Sequence, residues 1–155
     1  MVNMEVRQAA ATEIDQVRVL FREYAEWLQE DICLQSFEQE LAALPGAYAH
    51  PGGTLLVAAE GIRLAGCVGL RPLDLETGEM KRLYVRPEFR ANALGPRLVA
   101  ALIEEARRLG YRRVRLDTLP KMVAAQKMYA SIGFRDIARY NGNASAGVRF
   151  MELQL

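Results

Sequence analysis

Residues 79–110, EMKRLYVRPEFRANALGPRLVAALIEEARRLG, decide how this chain is read. Met80 to Val85 alternates β-branched and aromatic side chains with polar ones, which predicts a strand. Arg86-Pro87 stops it, because proline drives its predecessor out of the helical region. From Gly95 onward Leu98, Val99, Leu102, Ile103, Ala106 and Leu109 recur at three and four, while Arg97, Glu104, Glu105, Arg107 and Arg108 fall outside that stripe. This is a helix with one buried and one wet face. Pro96 suits its first turn, where a missing N–H costs least, and Gly110 suits the left-handed position past its end.

Between strand and helix, Arg90-Ala91-Asn92-Ala93-Leu94-Gly95 carries mostly small side chains. Successive backbone N–H groups can then lie open at the positive end of a helix dipole, as an anion cradle. A short loop that needs small residues only for packing fits the same letters.

Working outward, 155 residues suffice for one domain with a real core. A net charge of +1 provides no field to hold a nucleic-acid backbone, so no nucleic-acid partner is expected. Cys33 and Cys67 are too few for a disulfide framework and form no CxxC metal spacing, which points to a reducing cytoplasm. The start MVNMEVRQAA lacks a signal pattern, and no apolar run approaches a membrane span, so no membrane partner is expected either. With His50 the single histidine, a histidine-pair metal site is excluded; its Pro-Gly-Gly neighbours suit a solvated loop.

Before the central stretch, Met4 to Gln8 reads as a strand. Thr12 with Asp15 resembles a capping box for a helix whose stripe is Ile14, Val17, Leu20, Phe21, Tyr24, Trp27 and Leu28. Tyr24 and Trp27 fit core packing on that stripe, and pocket walls as the other reading. A second helix is expected from Ser36 as N-cap through Glu38 to Leu44, ended by Pro45-Gly46. Thr54–Glu60 and Leu64–Leu70 form a hairpin in which Cys67 is a small buried hydrophobe.

After the central helix, Arg112–Thr118 is a strand, Met122, Ala125, Met128, Tyr129 and Ile132 mark a helix ended by Gly133, and Arg135–Tyr140 and Val148–Leu155 are two more strands around the turn NGNASAG.

Two of these stretches resemble the GNAT superfamily of N-acetyltransferases. The loop is similar to its Q/R-x-x-G-x-G/A motif, with Arg90 and Gly95 in register and Ala93 where the middle glycine usually stands. The later helix is similar to its A-x-x-L-Y-x-x-x-G-F motif, with Ala125, Met128, Tyr129, Gly133 and Phe134 in register and methionine for leucine. The resemblance implies a mixed α/β (α+β) domain over residues 1–155. Its twisted, mostly antiparallel sheet of about six to seven strands is splayed where the cofactor enters and carries about four helices on both faces.

It implies acetyl-CoA as co-substrate, no metal, and direct transfer to a primary amine of a small molecule or peptide. The arm of the cofactor would lie along Leu83, Tyr84 and Val85. Its phosphates would lie among Arg90, Ala91, Asn92, Ala93, Leu94, Gly95, Pro96 and Arg97, with Gln126 as a further contact. Tyr129 would return a proton to the leaving thiolate, and Glu79 would be the base that deprotonates the amine. An exposed charge closing a turn fits Glu79 equally well. Main-chain N–H groups at Leu83 or Val85 would stabilise the oxyanion. Family members often pair through their late strands, which makes a homodimer an expectation. An acyl-CoA-binding module without turnover shares the same motifs. Acceptor choice is expected to lie between Asp31 and His50, where no motif is legible.

Overall fold

A computed structural model describes residues 3–28 and 34–155. In chain order its strands are β1 (Glu5–Gln8), β2 (Thr54–Glu60), β3 (Arg63–Pro72), β4 (Thr77–Val85), β5 (Arg113–Thr118), β6 (Arg135–Ile137) and β7 (Arg149–Gln154). Its helices are α1 (Ile14–Leu28), α2 (Leu34–Ala43), α3 (Leu94–Arg108) and α4 (Val123–Ile132). One seven-stranded sheet in the order β1-β2-β3-β4-β5-β7-β6 joins all the strands. Every pairing is antiparallel except β4 with β5. That exception follows from connection length: α3 carries the chain back so that β5 can start beside the beginning of β4.

Helices on both faces explain why β2 and β3 read as nearly unbroken apolar runs. Leu56 and Ala58 point into a core with Val68, Leu98, Leu102 and Phe134, under α3 and α4. Leu55 and Val57 point into a second core with Leu20, Phe21, Phe37 and Tyr48, under α1 and α2. Gly69 is required by this second layer, since a Cβ there would stand 2.6 Å from the Tyr48 ring.

Three sequence expectations are corrected. Thr12 caps nothing; the Ala10 N–H donates to Glu13 Oε1 at 2.8 Å, and the Glu13 carboxylate is held by Arg7 Nη1 at 2.7 Å. Ser36 lies inside α2, which begins at Leu34. Tyr24 and Trp27 pack, partly buried, against the second core as expected and also wall pockets. β6 ends at Ile137 because Tyr140 leaves the sheet to donate to buried Glu79 Oε2 at 2.6 Å. Cys33 and the first residues of the Asp31–His50 stretch lie outside the described residues.

Candidate functional site

The site begins with a defect in β4. Arg82 and Leu83 together oppose the single residue Val68 of β3, and Arg82 has φ +63°. A bulge of this kind turns the strand. Left-handed backbone is uncommon for a non-glycine residue, so something must hold it. The Arg82 fork donates to Glu40 of α2, Nε to Oε2 at 3.0 Å and Nη2 to Oε1 at 2.9 Å. The Tyr24 and Phe37 rings lie 5.8 and 5.3 Å from the guanidinium.

Beyond the bulge the sheet opens. β5 pairs only with Thr77–Glu79 of β4, so from Met80 onward no strand among the described residues lies beside that edge of β4. The Arg86 N–H turns back to Ala65 of β3 at 2.8 Å. Because amides alternate sides along a strand, Leu83 and Val85 aim theirs at the open edge.

A groove of about 430 Å³ follows that edge to the N-terminus of α3. Its walls are Leu83, Tyr84, Val85, Arg90, Ala93, Gly95 and Pro96 on one side and Lys121, Met122, Ala125, Met128 and Tyr129 on the other, with Trp27 at its mouth. Ala93 adopts left-handed backbone, φ +53°, ahead of α3, and among the described residues no side chain caps the helix. The first intrahelical bond runs from Arg97 N–H to Ala93 O at 3.4 Å. Pro96 has no N–H, which leaves the amides of Leu94 and Gly95 without intrahelical partners.

Gly95 gives the decisive local signal. A Cβ built there meets no heavy atom within 4 Å, so the fold itself has no need of glycine in this turn. Alanine would serve a helix better by about 1 kcal/mol. A ligand lying against the backbone is what a methyl group would obstruct. Arg90 donates from Nε to Val85 O at 2.9 Å, and its guanidinium lies 5.4 Å from the Trp27 ring. Lys121 Nζ lies 4.9 Å from the same ring and also donates to Trp27 O. Two cations flank one indole beside open amides, a setting that fits a diphosphate.

At its inner end the groove meets a junction of about 20 Å³ lined by Leu83, Met122 and Tyr129 together with Tyr24, Lys81, Arg82 and Asp117. The latter four, with Met122, also line a cavity of about 680 Å³. Its other walls include Phe37 and Glu40 of α2, Arg71 of β3, and residues 141–145. Groove, junction and cavity thus share walls along the splay between β4 and β5. Tyr129 is buried at 4% exposure, and its hydroxyl makes no hydrogen bond to a described residue. Burial pushes its pKa well above the ordinary phenol value, and the neighbouring Tyr24 and Asp117 add to the shift.

The model of the acetyltransferase (GNAT) family matches residues 14–134. The chain belongs to the GNAT acetyltransferase family. An uncharacterised N-acetyltransferase of Schizosaccharomyces pombe is 37% identical over 92% of this chain and 89% of its own length. One of Dictyostelium discoideum is 30% identical over 94% and 96%. Among solved structures, a GNAT-family acetyltransferase of Staphylococcus aureus superposes with a TM-score of 0.82 at 19% identity, over 98% of this chain and 99% of its own. A Salmonella typhimurium acetyltransferase solved with acetyl-CoA superposes at 0.73 with 21% identity, over 98% and 94%.

In this GNAT acetyltransferase the expected cofactor residues divide. Leu83, Tyr84, Val85, Arg90, Ala93, Gly95 and Pro96 line the groove; Ala91, Asn92, Leu94, Arg97 and Gln126 do not. Leu94 is buried in the core. Arg97 reaches Met4 O at 3.0 Å, and Asn92 turns its amide to Phe89 O at 3.4 Å. Gln126 donates to Leu119 O at 2.7 Å and accepts from Arg149 Nη1 at 3.0 Å, which ties α4 to β7.

Glu79 departs furthest from expectation. Its side chain is 1% exposed and lines neither cavity nor junction. Oε1 accepts from Arg71 Nε at 2.9 Å, and Oε2 accepts from Tyr140 Oη at 2.6 Å and Asn141 Nδ2 at 3.3 Å. A carboxylate so enclosed and so fully bonded is placed to anchor neighbours and has no open face for an amine.

The carboxylate that does reach the junction is Asp117, two residues along β5 from the end of the β4–β5 ladder. Burial raises its pKa, but Lys81 and the amides of Asn141 and Asn143 outweigh burial and hold it below the ordinary aspartate value. Sequence reasoning missed it because alternation marks Asp117 only as a polar position in a strand. Cys67 is wholly buried, with its thiol pushed up to about 12 by burial and donating to Arg82 O at 3.4 Å, so no thiolate nucleophile arises there. Among the described residues no group of three His, Cys, Asp or Glu side chains could hold a metal, and no helix is long and apolar enough to cross a membrane.

Proposed function

We propose that this acetyltransferase moves the acetyl group of acetyl-CoA to a primary amine that enters through the charged cavity, by direct attack. The observation that carries this reading is the shared junction. Tyr129 and Leu83 border both it and the groove, while Asp117, Lys81 and Tyr24 border both it and the cavity.

Bound in the groove, acetyl-CoA would supply an activated acyl group as a thioester. The Gly95 amide with Arg90 and Lys121 would hold its diphosphate, and the open edge at Leu83 and Val85 would align its arm. The same outward N–H groups would donate to the oxyanion that develops at the carbonyl. Asp117, ionised at neutral pH, would hold the acceptor as an ammonium, whose proton passes to water in the cavity. Its low pKa makes Asp117 a tether for the charged amine and a poor store for the proton. Tyr129 stays protonated because its pKa is raised, and its unengaged hydroxyl is the donor for the departing thiolate, regaining its proton from the nitrogen that has bonded to the acetyl carbon. Two cysteines, too few for a disulfide framework, favour a reducing, cytoplasmic setting.

The test is thiol release from acetyl-CoA with a panel of primary amines, alongside calorimetry with coenzyme A. Turnover with at least one amine is expected. Coenzyme A binding without turnover across a broad panel would favour a binding module instead, and no binding at all would remove the groove assignment.

A further inference from the structure

The cavity is built from paired charges whose bonding is incomplete in two places. Arg82 spends its fork on Glu40, and Glu79 is saturated by Arg71, Tyr140 and Asn141. Arg71, however, reaches Glu79 only through Nε, and its two terminal nitrogens donate to no described residue. Asp117 takes Asn141 and Asn143 amides on Oδ2, at 2.8 and 3.3 Å, while the nearest cation to Oδ1, Lys81 Nζ, is 3.7 Å away. One unfilled donor fork and one unfilled acceptor oxygen therefore face the same space, a cavity whose charged walls are Arg71, Lys81, Arg82, Glu40 and Asp117.

Position gives the two gaps a direction. Asp117 borders the junction that Tyr129 also lines, whereas Arg71 borders the cavity alone. Arg71 and Glu79 are register partners, and Lys81 with Asp117 lies two residues further along. Residues two apart on a strand share one face, so the Arg71–Glu79 and Lys81–Asp117 pairs are neighbours on the same side of β4.

We infer that the acceptor is a zwitterion, an amino acid or a molecule that ends like one, with its carboxylate on the Arg71 fork and its amine at Asp117 facing the thioester. A planar guanidinium already steadied through Nε presents two parallel N–H groups to a carboxylate. A cavity with an open cation at one place and an open carboxylate oxygen at another suits a ligand that carries both charges, whereas a polyamine would leave Arg71 facing a cation. The inference rests on the acetyl-transfer reading above.

The test follows thiol release by the full chain with acetyl-CoA and a set of L-amino acids, each beside its methyl ester and its decarboxylated amine. The best acid should exceed both counterparts in kcat/KM by roughly tenfold or more, as expected for a charge-assisted pair. Arg71→Lys keeps a cation for Glu79 but loses the fork, and should narrow that ratio. Arg71→Gln alone would strand a buried carboxylate, so the double change Arg71→Gln/Glu79→Gln serves as the second variant, with a ratio near one. Esters and decarboxylated amines that match the acids in the wild type would overturn the zwitterion assignment while acetyl transfer stands, as would a ratio that survives both variants. Silence with all three sets, despite coenzyme A binding, would overturn both.

Discussion

The groove and the cavity are built from different materials. The groove is made of backbone: outward amides on the open edge of β4 and at the start of α3, with Gly95 keeping a surface clear and Arg90 and Lys121 at the mouth. The cavity is made of side-chain charges that α2, β3, β4, β5 and residues 141–145 bring together from distant parts of the chain. A backbone cradle depends on a few consecutive residues and accepts a ligand common to a family. A charged cavity depends on which side chains happen to meet, and it can be re-specified one side chain at a time.

Changes on either side of the junction would sharpen that contrast. Tyr129→Phe should cost the most, about 10²-fold in kcat, with coenzyme A affinity nearly unchanged in calorimetry. An unaltered rate at every pH would remove its role as donor. Asp117→Asn should lower kcat/KM by about 10- to 100-fold through acceptor KM, leaving coenzyme A affinity intact. In the wild type, kcat/KM should rise with pH toward the acceptor amine's own pKa, because Asp117 is already ionised there.

Glu79→Gln separates anchor from base. It should lower unfolding free energy by about 2 kcal/mol, a figure reduced from that of a fully buried pair because Arg71 is partly exposed. The shape of the pH–rate profile should be retained; loss of its acidic limb with stability unchanged would restore Glu79 as the base. Smallest are two opposed changes in the cradle. Gly95→Ala should gain up to about 1 kcal/mol of stability yet weaken coenzyme A binding, and Ala93→Gly should relieve left-handed backbone at no loss of binding. Unchanged affinity in Gly95→Ala would mean that no ligand lies against that backbone.

Legibility followed the same division. Strand, loop and helix from Met80 to Gly110 could be read from proline placement, apolar period and a terminal glycine, and α3 does run from Leu94 to Arg108 with Gly110 at φ +91°. Tyr129 could be read because its motif is local. Arg97 could not be separated from Arg90 by sequence, since each is a cation near the loop, and only the turn of the helix sends one to Met4 and the other over Trp27. Glu79 looked like a base from its place on the strand. Tyr140 and Asn141, 61 and 62 residues away, are what close it off.

The sequence by itself determined the order of the elements and the central strand, loop and helix, because periodicity, proline placement and terminal glycines act between residues close along the chain. The tertiary structure alone decided which carboxylate meets the junction, which arginine keeps open donors, and where the sheet parts. Those outcomes depend on long-range pairing: a bulge at Arg82 pinned by Glu40, and a β4–β5 ladder that stops after Glu79 and Arg115.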